Sequence, residues 1–176
     1  MDYVINLLSV SFYEGMAYGF VTLGVYITFR VLAFPDLTVD GSFPLGGAVA
    51  ATLIVNGVNP WLATLIAFIA GMCAGLATSL LNTKLRINAL LAGILMMVAL
   101  YSVNLAIMGR SNVSVLREPT VFKQASQLLG IGSGLTLEII FMVVLAIIIL
   151  GILNWFLRTE IGLALRATGD NEQMVR

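Results

Sequence analysis

Histidine is missing from this 176-residue chain, cysteine occurs once, and charged residues make up only 10% of it. With no histidine, and with Cys73 alone in an apolar run, neither a disulfide nor a Cys/His metal site can be assembled. Cys73 is expected to be a small buried hydrophobe. The basic clusters that grip nucleic acid are lacking, so nucleic acid is not an expected partner. No Gly-x-x-x-x-Gly-Lys-Ser/Thr phosphate loop occurs, so the chain is not expected to hydrolyse ATP itself. The N-terminus has no basic flank or small-residue cleavage site, so its first apolar segment is expected to remain in the mature protein. Chemistry inside the membrane would have to rest on carboxylates and hydroxyls, and these show no recognisable catalytic spacing. An enzyme is not expected.

What the sequence does contain is apolar: 60% of it is hydrophobic, the composition of an all-α integral membrane protein. About five spans are expected, over 3–30, 43–56, 61–83, 87–109 and 135–157. The 23 uncharged residues from Ile87 to Gly109 and the 19 between Glu138 and Arg158 each suffice for one crossing of about 20 residues. In the first segment, the fifteen uncharged residues from Gly15 to Phe29 place Glu14 at membrane depth. Glu14 is either an interfacial carboxylate or a polar group facing the bundle interior. Ser11, Gly15 and Gly19 form a small-residue stripe beside it.

The segment from Phe34 to Pro44 holds two prolines, a glycine and two carboxylates, and cannot face lipid as a continuous helix. The apolar run after it, Phe43 to Val55, covers only about 20 Å of a ~30 Å hydrocarbon core. A short helix behind a broken polar segment is the pattern of a discontinuous helix beside a transport path. Ser42 is the expected cap and Pro44 falls in the first turn. Asp36, Thr38, Asp40 and Ser42, with Glu14, are the candidate pathway residues. The plainer alternative is a cytoplasmic loop before a tilted helix. Further on, Asn59-Pro60 reads as a tight turn and Trp61 as an interfacial anchor. Ala63, Ala67, Gly71, Gly75 and Ser79, spaced by four, suit close helix packing. Asn88 and Asn104 are candidate interhelical hydrogen bonders, and the methionines there suit adaptable packing.

Residues 110–134 are the one long polar connection, with an amphipathic piece expected at Thr120 to Leu129. The tail, 159–176, reads as a short helix-turn-helix. Ile161, Leu165 and Thr168 share a face with Arg166 turned away, Gly169 ends the first helix, and Asp170 caps a second. Placing this tail inside makes Arg30, Lys84, Arg86, Arg158, Arg166 and Arg176 cytoplasmic, six of nine basic residues. The N-terminus and the 110–134 loop are then external. On its own the tail suits either docking to another protein or resting on lipid headgroups.

Three blocks, Phe34 to Ala51, Lys84 to Met97 and Thr159 to Glu172, together resemble the integral-membrane permease subunits of bacterial ABC importers. The likeness is to the branch holding branched-chain amino-acid and ribose permeases, and within it to tryptophan/tyrosine-type permeases. The resemblance implies half of a solute pathway for an amino acid or similar small solute, in the bacterial plasma membrane. It implies no cofactor of its own, a separate ATPase subunit that hydrolyses ATP, an extracytoplasmic binding protein and a second permease subunit, expected as a homodimer. It places a coupling segment at Gly162, Arg166, Ala167, Gly169, Asn171 and Glu172. It also implies several more helices beyond Arg176, so the chain is expected to be a fragment or a truncated form. The competing reading is an ion-coupled secondary transporter or channel working through Glu14, Asp36, Asp40 or Glu138.

Overall fold

The structure, a computed structural model, describes residues 2–115, 118–129 and 135–170. Every regular element among the described residues is helical: α1 Asp2–Tyr26, α2 Val39–Val55, α3 Pro60–Thr83, α4 Ala89–Met108, α5 Val121–Leu129, α6 Leu135–Leu157 and α7 Glu160–Asp170. The chain divides into two compact units, Met1–Phe34 with Ala125–Arg176, and Pro35–Gln124.

In the first unit α1 packs on α6 and ends in a π-helical turn, Ile27–Val31. Leu32 N–H reaches back five residues to the Ile27 carbonyl at 3.1 Å, and Ala33 follows with φ 51. The turn is touched by α7, which also packs on α6. Ser11, Glu14, Gly15 and Gly19 all lie on exposed positions of α1.

In the second unit α2 packs against both α3 and α4, around Leu45, Ala74 and Leu100, with Val49, Ala70 and Met96 at the margin. Alanines at the contacts, Ala48, Ala63, Ala74 and Ala92, let the backbones approach closely. Asn59 caps α3 by accepting from Trp61 N–H at 3.0 Å, with Pro60 at the first helical position, as the Asn-Pro turn predicts. The Lys84–Arg86 hairpin is closed by Asn82, whose Nδ2 donates to the Ile87 carbonyl at 2.9 Å.

Among the described residues, three helices are long and apolar enough to cross a membrane: Pro60–Thr83, Ala89–Met108 and Glu138–Leu157. The expectation of five is met in part. α1 has the length but is diluted by Glu14 and its tyrosines, whereas α2 is apolar but spans about 26 Å at 1.5 Å per residue. Large apolar side chains on α3, α4 and α6 stand mostly exposed, as suits lipid rather than water.

Several local expectations are corrected. α2 starts at Val39, with Thr38 rather than Ser42 at its cap position, so Asp40, Gly41 and Ser42 are helical and Pro44 is the sixth residue. Cys73 is exposed; it lies one residue off the inward face of α3, which runs through Ala63, Ala67, Ala70, Ala74 and Thr78. Of the small stripe, Ala63 is buried and Ala67 half-buried, while a Cβ at Gly71 or Gly75 would meet nothing within 4 Å and Ser79 is exposed. Asn88 caps α4 by accepting from Leu90 N–H at 3.0 Å instead of bridging helices. The amphipathic piece is α5, held at its start by Lys123 N–H on the Thr120 hydroxyl at 3.4 Å.

Candidate functional site

The lead-in to α2 is held by polar ties between helices. Asp36 Oδ1 accepts from Thr38 N–H at 2.8 Å, closing a turn that sets the chain up for the helix. The hydroxyls of Thr38 and Thr78 lie 2.8 Å apart, and Thr78 is also within 3.2 Å of the Ala74 carbonyl. Thr78 therefore donates to Ala74 and accepts from Thr38, which satisfies both groups. Both threonines are almost wholly buried.

Two glycines make this close approach possible. A Cβ on Gly93 of α4 would sit 2.8 Å from Leu37 N and 3.5 Å from Asp36 Oδ1. A Cβ on Gly41 would sit 3.0 Å from Met97 Cα, and the Gly41 carbonyl accepts from Asn104 Nδ2 at 3.4 Å. Asn104, expected as an interhelical hydrogen bonder, is one; its Oδ1 is buried without a partner. No motif in the sequence marks Gly93 or Thr78. Their signal was position: Thr78 falls on the inward face of α3, four residues after Ala74.

The candidate pathway residues thus divide by environment. Thr38 is buried, Asp36 and Ser42 are half-buried, and Ser42 Oγ donates to the Val39 carbonyl at 3.4 Å. Asp40 is exposed and shares an open face of α2 with Phe43, Pro44 and Gly47. Glu14 belongs to the other unit and is exposed there. Removing the Thr38 hydroxyl with Thr38→Val takes away a buried bond but leaves Thr78 its carbonyl partner. The expected loss is about 1 kcal/mol, read as a lowered unfolding midpoint of the purified protein, and the Thr38→Val/Thr78→Val pair is less than additive.

The second constellation is the elbow from α6 into α7. Thr159 Oγ1 donates to the Phe156 carbonyl at 2.6 Å and accepts from Gly162 N–H at 3.4 Å, capping α7. Gly162 is packed so tightly that a Cβ would strike the Phe156 carbonyl oxygen and lie 2.6 Å from Leu157 Cα. At the other end a Cβ on Gly169 would strike the Val31 carbonyl oxygen in the π-turn. Gly169 does not end the helix: α7 runs on to Asp170, and Gly169 has no positive φ. The inward face is Gly162, Leu165 and Gly169; Ile161, placed inward by the apolar pattern, is 65% exposed along with Leu163, Arg166 and Ala167. Asn171 and Glu172, and the second helix expected after Asp170, lie outside the described residues. No group of three or more acidic or cysteine side chains able to hold a metal occurs among the described residues.

Residues 7–176 match the family described as branched-chain amino acid transport system / permease component. The chain is 39% identical over 163 residues to a tyrosine transport system permease protein of Clostridioides difficile, covering 93% of this chain and 52% of that one. It is 38% identical over 173 residues to an uncharacterized protein of Rickettsia prowazekii, covering 97% of this chain and 57% of that one. It therefore spans a little over half the length of these curated relatives. No solved structure matches it. The match runs through both constellations, the α2 lead-in and the α6–α7 elbow, and the chain belongs to the family of branched-chain amino acid transport system permease components.

Proposed function

We propose that this chain is the pathway-forming part of a permease subunit in an ATP-driven importer of amino acids or similar small solutes. It crosses the bacterial plasma membrane five times, α1 and α2 included, with its N-terminus and residues 110–134 outside and α7 in the cytoplasm. ATP is hydrolysed by a separate subunit that docks on the exposed face of α7, at Arg166 and Ala167, with Asn171 and Glu172 extending the contact. An extracytoplasmic binding protein delivers solute, and a second permease subunit completes the pathway. Gly71, Gly75 and Ser79 offer the open part of α3 to another transmembrane helix. The open face of α2 carrying Asp40, Phe43 and Pro44 borders the solute path, with Asp36, Thr38 and Ser42 holding it in place.

The observation that carries this reading is how α7 is fixed. A short helix pinned to backbone at both ends, yet leaving Ile161, Leu163, Arg166 and Ala167 exposed, suits a handle through which a partner moves the bundle. Such a handle transmits motion because it cannot slide on its supports.

Two measurements test it. Arg166→Glu in the assembled transporter is expected to cut co-purification of the ATPase subunit and solute uptake about tenfold, as loss of a charge contact at an interface does. A cysteine introduced as Thr168→Cys in a Cys73→Ala background is expected to react with a membrane-impermeant maleimide only after the cells are opened. Labelling in intact cells would place α7 outside and end the proposal.

A further inference from the structure

The C-terminal ends of α2 and α4 border an open hollow of about 340 Å³, walled by Val55 and Asn56 on one side and by Met108, Gly109, Arg110 and Val113 on the other. Its depth in the bilayer follows from the helices. α4 is long and apolar enough to cross a membrane, so Gly109 and Arg110 emerge where acyl chains give way to headgroups. Trp61 opens α3 at the same end of the unit, four residues after the left-handed Gly57 that follows α2. Its ring stands exposed, as suits an aromatic at that depth.

The hollow is amphipathic. Val55, Met108 and Val113 are half-buried, whereas Asn56 and Arg110 are exposed. Arg110 makes no ion pair or hydrogen bond among the described residues. Beside it, Gly109 N–H turns back to the Leu105 carbonyl, and the carbonyls of Ala106, Ile107 and Met108 receive no backbone N–H among the described residues. Each helix end is equivalent to about half a negative charge. A simple anion is drawn by Arg110 but repelled by both helix ends, and a simple cation meets the reverse. A headgroup with a phosphate and a protonated amine a few bonds apart satisfies all three, and its glycerol and first acyl carbons suit the apolar side chains.

We propose that this hollow is a binding site for the headgroup of a membrane phospholipid of the phosphatidylethanolamine class. The phosphate lies in the guanidinium fork of Arg110, and the ammonium donates to the open carbonyls at the end of α4. The hollow falls at the small end of ligand sites, which suits a single headgroup. A quaternary choline has the same charge but no N–H to donate, and a phosphatidylglycerol has no cation for the helix ends. The inference needs only that α4 crosses the bilayer, and it stands apart from the permease reading.

The test places the complete protein in phosphatidylcholine nanodiscs doped with a small fraction of phosphatidylethanolamine. Native mass spectrometry then counts the lipid that stays bound on release. Relative to its share of the bilayer, phosphatidylethanolamine is expected to be retained about tenfold over phosphatidylcholine, the worth of one charge-assisted hydrogen bond. Its N-methyl and N,N-dimethyl forms are expected to fall between, and phosphatidylglycerol to be retained no better than phosphatidylcholine. Arg110→Gln is expected to cut retention of phosphatidylethanolamine about 10- to 100-fold, and Arg110→Lys less. Arg110 is exposed, so neither change disturbs packing. Lys84→Gln, at an exposed cation capping the opposite end of α3, is expected to change nothing. Equal retention of the ethanolamine and choline lipids, stronger retention of phosphatidylglycerol, or undiminished retention in Arg110→Gln would each overturn the site. An equal fall in Lys84→Gln would do so too. Soluble glycerophosphoethanolamine carries the same two charges without acyl chains and is expected not to displace the lipid at equal concentration. If it does, the hollow takes a free solute and the lipid assignment falls.

Discussion

In the proposed transporter, Gly169→Ala and Gly162→Ala are expected to uncouple transport: solute uptake falls about tenfold while the amount of protein in the membrane stays close to normal. The reason is steric and local. At each position the added methyl would meet a backbone carbonyl, that of Val31 or of Phe156, which cannot step aside as a flexible side chain would. Alanine gains about 1 kcal/mol over glycine in helix propensity, but forcing atoms into a packed contact costs about 1–3 kcal/mol. The helix therefore stays folded and shifts off its seat. Because α7 rests on α6 at one end and on the π-turn at the other, either shift alters how movement of α7 reaches the bundle. Val31 stands only five residues before Asp36 in the chain, so the π-turn leads directly into the α2 lead-in. Gly151→Ala supplies the contrast, since a Cβ there would meet nothing within 4 Å. It should leave uptake unchanged. Uptake at the unsubstituted rate in both Gly162→Ala and Gly169→Ala would mean that α7 is not a seated handle.

The apolar spans were legible because lipid leaves the backbone few choices. A run of about 20 uncharged residues must close its own hydrogen bonds as a helix, and α3, α4 and α6 fall within two residues of the expected bounds. Asn104 was legible for the same reason, since an amide inside an apolar span must find a partner. Faces were read less well. A strict spacing of four advances about 40° per step around a helix, so the stripe from Ala63 to Ser79 drifts off the contact. The real face takes a three-residue step from Ala67 to Ala70 and stays in register. In α7 the apolar spacing points to Ile161 as an inward residue. Gly162 and Gly169 have no side chain to rank, yet their lack of one is what lets α7 lie against backbone, and that turns Ile161 outward. A first-turn position for Pro44 predicts a start of α2 at Phe43, four residues later than the observed Val39. As the sixth residue it deprives only the carbonyl of Asp40 of its usual donor, and Asp40 is exposed, so the omission costs little. Thr38 and Thr78 are forty residues apart, and no local pattern joins them.

Gly93→Ala is expected to lower stability by about 3 kcal/mol, the largest single loss in the Pro35–Gln124 unit. Its Cβ would stand 2.8 Å from Leu37 N, so the backbone of the lead-in has to retreat from α4. Alanine's helix-propensity gain of about 1 kcal/mol offsets part of the overpacking cost of about 1–3 kcal/mol. The remainder comes from the retreat itself. Moving Leu37 carries Asp36 and Thr38 with it, loosening the Asp36 to Thr38 N–H bond and the buried Thr38–Thr78 contact, each worth about 1 kcal/mol. A double-mutant cycle separates these contributions. In the unsubstituted protein Thr38→Val costs about 1 kcal/mol, but in the Gly93→Ala background, where that hydroxyl has already lost its partner, it costs close to nothing. Gly46→Ala on α2, where a Cβ would find open space, gains up to about 1 kcal/mol and shows that the penalty at Gly93 is one of position. Full additivity of Gly93→Ala and Thr38→Val would show that the glycine and the threonine pair act separately. The lead-in would then be held by the Asp36 turn alone, not by the three-helix contact that Gly93 allows.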